Sequence, residues 1–177
     1  ENSLRGIFVP TTSAERERYR TWLRSTFGPV LDRLGMPGPA TDSEEQHVRR
    51  AALINLLGIA GDSPDVQRRA RELAITYLEN PASLPGTLVA PILRVAAFGG
   101  DASLYDRYKA RMQQVTSDPE EFYRFFNALT YFRDPALMTR TLEFNKEETE
   151  IIHDLHLLTR KPMIYAVNVE EARLKNV

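Results

Sequence analysis

Apolar residues recur along this chain at three- and four-residue steps, in blocks divided by proline, glycine and capping residues, which predicts a succession of amphipathic helices. Residues 1–11 read as an extended lead, because Gly6 and Pro10 discourage a helix. Thr12 stands three before Glu15, the spacing of a capping box, and opens a helix to about Leu34. Gly35, Pro37, Gly38 and Pro39 end it. A second helix is expected from about Asp42 to Ala60, apolar through Val48, Ala51, Ala52, Leu56, Leu57 and Ile59. Ser63 and Pro64 open a third, with Val66, Ala70, Leu73, Tyr77 and Leu78 as its buried stripe, and Asn80 and Pro81 stop it. Thr87–Phe98 forms a short apolar helix closed by Gly99 and Gly100. Leu104, Tyr105, Tyr108, Met112 and Val115 mark the next stripe. Asp118, Pro119, Glu120 and Glu121 then combine a capping carboxylate, a first-turn proline and acids at the positive end of the helix dipole. Phe122, Phe125, Phe126, Leu129 and Phe132 follow as that helix's buried face. Asp134 and Pro135 repeat the device for a helix ending near Phe144, and Asn145 with Glu148 opens one more toward Thr159.

The pattern also repeats at longer range. Leu56–Asp62 reads LLGIAGD, and about 40 residues later Val95–Asp101 reads VAAFGGD. Each is an apolar helix end, a glycine stop and an aspartate placed to cap the next helix. The period is that of helical-pair repeats, in which no pair buries both faces alone and neighbours stack into a solenoid. A helical bundle carrying a coincidental repeat is the alternative. The tail breaks the pattern. Met163, Ile164, Tyr165, Ala166 and Val167 follow Pro162 as a continuous apolar run, the signature of a strand buried on both faces. Nothing earlier in the chain offers this strand a partner.

Composition narrows the function. The 177 residues are 42% hydrophobic and 27% charged, as expected of a globular domain. Lys plus Arg number 23 against 24 Asp plus Glu, so the basic surplus of a nucleic-acid binder is missing. The lack of cysteine excludes disulfides, thiolate zinc sites and cysteine nucleophiles. No apolar run approaches the roughly 20 residues of a membrane span, and no signal-peptide pattern is visible, so a cytoplasmic protein with no membrane partner is expected.

Catalytic motifs are missing as well. The histidines are His47, His153 and His156. A gluzincin-type zinc site needs two histidines four apart on a helix and a further glutamate, whereas His153 and His156 lie three apart in HDLH. They are read as surface residues of an amphipathic helix, with no metal site and no catalytic residue expected. No phosphate-binding G-x-x-x-x-G-K-[ST] loop and no G-x-S-x-G elbow occurs. The acidic pairs Glu44–Glu45, Glu120–Glu121 and Glu147–Glu148 fall in helix first turns, where dipole compensation accounts for them. Arg68, Arg69 and Arg71 read as a solvated face. Chemistry alone thus points to an α-helical repeat domain that binds or scaffolds.

Two longer stretches resemble known families. LLGIAGDSPDVQRRARELAITYLENPASLPGTLVAPILRVAAFGGDASLYDRYKARM, followed by TSDPEEFYRFFNALTYFRDPALMTRTLEF, resembles the helical C-terminal domain of aminopeptidase N-like zinc metallopeptidases, the ERAP-like C-terminal domain. Residues 4–49, with a long helix ending in DRLGMPG, are taken into the same domain, which then spans residues 1–144. The resemblance implies an all-α, HEAT-like solenoid of antiparallel helix pairs. Such a domain packs on the catalytic domain and encloses the peptide substrate, while the zinc is bound elsewhere in the parent enzyme. Beyond Phe144, residues 145–177 are similar to a short piece of the Obg-like, YchF-type ATPases, through Leu157, Leu158, Thr159, Lys161 and Pro162 and then Asn168 and Glu171. That resemblance implies a base-pocket role for Asn168 and Glu171, with ATP as the ligand.

Three functions are compatible with these features. The first is a non-catalytic domain of a zinc aminopeptidase, whose partners are the catalytic domain and peptide. The second is a fragment of a nucleotide-binding ATPase, and the third a free-standing helical adaptor for a protein or peptide. No activity and no cofactor are expected of this chain alone.

Overall fold

A computed structural model describes residues 12–39 and 41–147 of the chain. Among these residues the protein is all-α and has no strand. The helices are α1 (Ser13–Leu34), α2 (Glu44–Asn55), α3 (Pro64–Glu79), α4 (Gly86–Phe98), α5 (Ala102–Gln114), α6 (Pro119–Leu129) and α7 (Pro135–Glu147). A π-helical turn, Leu56–Ala60, extends α2, and a short 3-10 turn, Pro81–Ser83, follows α3. The chain divides into two compact units, Glu1–Thr141 and Leu142–Val177, and the first holds α1 to α6 with the start of α7. The strand-like run 163–167 lies outside the described residues.

Local capping chemistry sets most of the helix starts. The Glu15 N–H donates to Thr12 Oγ1 at 3.2 Å while the Glu15 carboxylate accepts from the Thr12 N–H at 3.0 Å, the reciprocal pair of a capping box. Ser43 and Gln46 make the same exchange at α2. Ser63, Asp101 and Asp118 cap α3, α5 and α6. The expected start at Asp42 therefore moves by a residue or two, because Ser43 is the cap. The break expected between Phe144 and Asn145 is not present. Helix α7 continues through Asn145 to Glu147, since no proline or glycine interrupts it there.

Helix α4 is the centre of the core. It packs on α2, α3, α6 and the π-helical turn, and α5 packs on α6. Its Leu88, Val89, Ile92, Leu93, Val95, Ala96 and Ala97 are buried, so both sides of the helix meet protein. The π-helical turn brings Gly58 against α4, where a Cβ on Gly58 would fall 2.3 Å from Val95 Cγ1. Between α5 and α6 the rings of Tyr108 and Phe125 meet edge-on at 5.4 Å, and Phe132 packs on Tyr105 at 5.3 Å. Phe122, Phe125, Leu129 and Phe132 are buried as their spacing predicts. Phe126 is only half-buried and stacks on Phe122 at 6.1 Å.

On α2 and its π-helical extension the predicted apolar positions hold only in part: Leu57 is buried, whereas Ala52 is exposed. Val48 is 54% exposed, whereas His47 and Arg50 point inward, Arg50 at 0%. The cause lies in the preceding loop. Arg50 Nε donates to the Gly35 carbonyl at 2.9 Å, and its Nη2 donates to the Leu34 carbonyl at 2.8 Å and to Asp42. The guanidinium thus satisfies carbonyls left open at the end of α1 and draws the Gly35–Asp42 turn onto α2. Gly38, at φ +82°, lies so close that a Cβ there would fall 2.2 Å from Arg50 Nη2.

Candidate functional site

Helices α4 and α6 leave a groove of about 590 Å³ between them. Ala90 and Arg94 of α4 line one wall, and Tyr123, Arg124 and Asn127 of α6 line the other, with Tyr131 at the end. Its position follows from the sequence of α6. Phe122, Phe125 and Leu129 turn into the core, so Tyr123 and Asn127, one and two positions away along the helix, border the opening.

The polar groups of the groove are not equivalent. Arg124 is held by two acids, with Nη1 donating to Glu121 Oε2 at 3.2 Å and Nη2 donating to Glu120. Glu121, buried, also accepts the Tyr77 hydroxyl at 2.6 Å. Burial first, and then the hydrogen bond to Glu121, push the Tyr77 phenol up to about 12. First-turn dipole compensation is therefore an incomplete account of Glu120 and Glu121, because both carry side-chain partners across or along the helix. Arg94 differs. It is half-buried, its Nε donates to the Ala90 carbonyl at 3.2 Å, and its guanidinium carbon lies 5.9 Å from the centre of the Tyr131 ring. Among the described residues it has no carboxylate partner. The Tyr123 hydroxyl oxygen is out of water and makes no hydrogen bond among the described residues.

The two aspartates of the internal repeat have separate roles. Asp101 caps α5 through the Leu104 N–H at 3.0 Å and pairs with Arg71 at 2.8 Å. Those two interactions, the backbone hydrogen bond first, hold its carboxyl below the usual range. Asp62 caps nothing, because Ser63 does so. At φ +44° it instead pairs with Arg20 at 3.3 Å and Arg133 at 3.2 Å and accepts from Gln67 Nε2 at 2.9 Å. The arginine run is solvated only in part. Arg68 pairs with Asp65 and Glu72 on its own helix, whereas Arg69 reaches Asp32 of α1 and Arg71 reaches Asp101.

His153, His156, Asn168 and Glu171 lie outside the described residues. His47 is 7% exposed, with Nδ1 3.7 Å from Glu44 and Nε2 buried without a partner among the described residues. No group of three metal-ligating side chains occurs among the described residues. Sequence reasoning missed the groove, because Arg94 stands within an apolar helix and Tyr123 within an aromatic run read only for its buried face. No described helix is long and apolar enough to cross a membrane.

These features define an all-α domain whose polar groove is built from side chains of neighbouring helices. The chain belongs to the ERAP1-like C-terminal domain family, whose model matches residues 2–167. It is a helical C-terminal domain of an ERAP1-like aminopeptidase. The match passes Phe144 and takes in much of the segment read as Obg-like, for which nothing else speaks. No curated protein matches the chain.

Proposed function

We propose that this chain is the non-catalytic helical domain of a zinc aminopeptidase, which docks on the catalytic domain and helps to enclose peptide substrate. The observation that carries the reading is the family match over residues 2–167. The groove between α4 and α6 supports it, being of the size that holds one or two peptide side chains and lined by groups suited to polar recognition. Zinc and the general base would then belong to the catalytic domain, and this chain would shape access to them. The HEAT-like stacking of helix pairs fits the contacts of α4 with α2 and α6. The test is to mix the chain with the zinc-binding catalytic part of an ERAP1-like aminopeptidase that lacks its own helical domain. A one-to-one complex is expected, with cleavage of longer peptides altered more than cleavage of an aminoacyl anilide. Absence of a complex at micromolar concentration, with both rates unchanged, overturns the proposal.

A further inference from the structure

We infer that the exposed aromatic flank of α1, formed by Tyr19 and Trp22, is a docking surface for a segment of this same chain, residues 4–9, with Leu4 and Phe8 as the covering side chains. The inference concerns how the domain is completed and goes beyond the peptide-enclosing role.

Helix α1 is packed along one side. Its main neighbours are α2 and the π-helical turn, and Leu23 and Leu31 are its buried residues. Tyr19 and Trp22 lie round the helix from that side, Trp22 52% exposed and Tyr19 37%. The two rings stack at 6.0 Å, and Phe27 meets Trp22 edge-on at 5.9 Å. The indole is thus held in place by its neighbours while its outer face stays open. Beside it an open trough of about 520 Å³ runs along Ala14, Thr21 and Ser25. A fixed aromatic pair beside such a trough gains from an apolar cover, because covering it removes apolar surface from water at little cost in side-chain freedom.

The sequence supplies the cover next to it. Residues 1–11 join directly to Thr12, the cap of α1, and hold Leu4, Ile7, Phe8 and Val9. The family match begins at residue 2, which makes this lead part of the domain. Its reach is sufficient. Trp22 lies ten residues beyond Thr12, about 15 Å along the helix axis. Phe8 lies four residues before Thr12 and Leu4 eight, spans of about 13 and 26 Å in an extended chain. A reversal at Pro10–Thr12, where proline presets the turn, lays Phe8 over the Tyr19–Trp22 pair. In the extended lead that Gly6 and Pro10 predict, Leu4, Gly6 and Phe8 share one side and Ile7 and Val9 the other. Leu4 and Phe8 then flank the indole, and Gly6 between them leaves room for its plane. A tethered segment also outcompetes a second copy of the chain, because a short tether holds it at an effective concentration in the millimolar range.

Trp22 is the one tryptophan of the chain, so its fluorescence reads the cover directly. In the full chain we expect blue-shifted emission and slow quenching by acrylamide. Phe8→Asp places a carboxylate against the indole and should move emission to the red and raise the quenching rate severalfold, with the far-UV helix signal unchanged. Phe8→Leu should keep the protection, and Val9→Asp, on the opposite side of the lead, should change it little. If Phe8→Asp fails to fold, nuclear Overhauser contacts between the Trp22 indole and the Phe8 ring in the unaltered chain decide instead, their presence supporting the inference and their absence overturning it. The emission and quenching of a water-exposed indole in the full chain overturn it. Protection that disappears on dilution assigns the flank to a second copy and overturns it too. Protection that survives Phe8→Asp, or that Val9→Asp removes equally, overturns the assignment of Leu4 and Phe8.

Discussion

Arg50 has no exposed surface, yet three acceptors from the α1 end and the following turn converge on it. Its Nη1 is buried without a partner among the described residues, a cost accepted because the other nitrogens tie two helices and a turn together. Removing the guanidinium would leave the Leu34 and Gly35 carbonyls and the Asp42 carboxylate facing a void. Arg50→Ala is expected to lower unfolding free energy by about 3–5 kcal/mol, the usual cost of breaking a buried charged network. Arg50→Lys, which keeps the charge and loses the fork, should fall between the two. Urea denaturation followed by far-UV circular dichroism measures both. A loss below about 1 kcal/mol for Arg50→Ala would mean that water replaces the guanidinium at no cost. An arginine on an apolar stripe is assigned outward by any periodicity reading. Only its three acceptors, 8 to 16 residues away in sequence, reverse that assignment.

At the scale of elements, the junction of α2, the π-helical turn and α4 is a close contact of backbone against side chain in the core. Gly58 has no Cβ where Val95 Cγ1 needs the space, 2.3 Å from the ideal Cβ position. Gly58→Ala is expected to destabilise the domain by about 1–3 kcal/mol, as overpacking does when neither helix can retreat. Val95→Ala removes the opposing methyls, so the double variant should lose less than the sum of the two single losses. Additive losses would show that the helices simply move apart. The helix itself was readable from sequence, as were the apolar residues of α4 and the glycine stop at Gly99. The widening to a π-helical turn was not, because it depends on how closely two helices approach.

At the scale of the molecule, Asp62 joins helices that lie far apart in the chain. This aspartate follows the π-helical turn and holds Arg20 of α1, Gln67 of α3 and Arg133 of the α6–α7 connection. Arg133 also donates to the Phe98 carbonyl at 2.8 Å, and Arg24 donates to the Gly61 carbonyl at 2.8 Å, so the same patch closes two helix ends. Asp62→Asn keeps the shape and tolerates the positive φ while removing the charge. The expected loss is about 1 kcal/mol at low ionic strength, since Arg133 is half-exposed and screened. In 1 M NaCl, where the screening length is about 3 Å, the difference between the two proteins should shrink by roughly half. An unchanged difference would assign the loss to hydrogen bonding rather than charge.

Capping exchanges between residues three apart, proline and glycine stops and helical stripes are local, and they carried the all-α class, most helix bounds and the aromatic core of α5 and α6 in the bare sequence. The family resemblance was equally legible over the residues that carried it, and the family match extends it past Phe144. Three assignments waited for the fold: the inward turn of Arg50, the release of Asp62 from capping into a three-way network, and the groove that Arg94 and Tyr123 line from two helices. Each depends on groups brought together from separate helices, and a hydrogen bond or ion pair between distant positions leaves no spacing in the chain by which to find it.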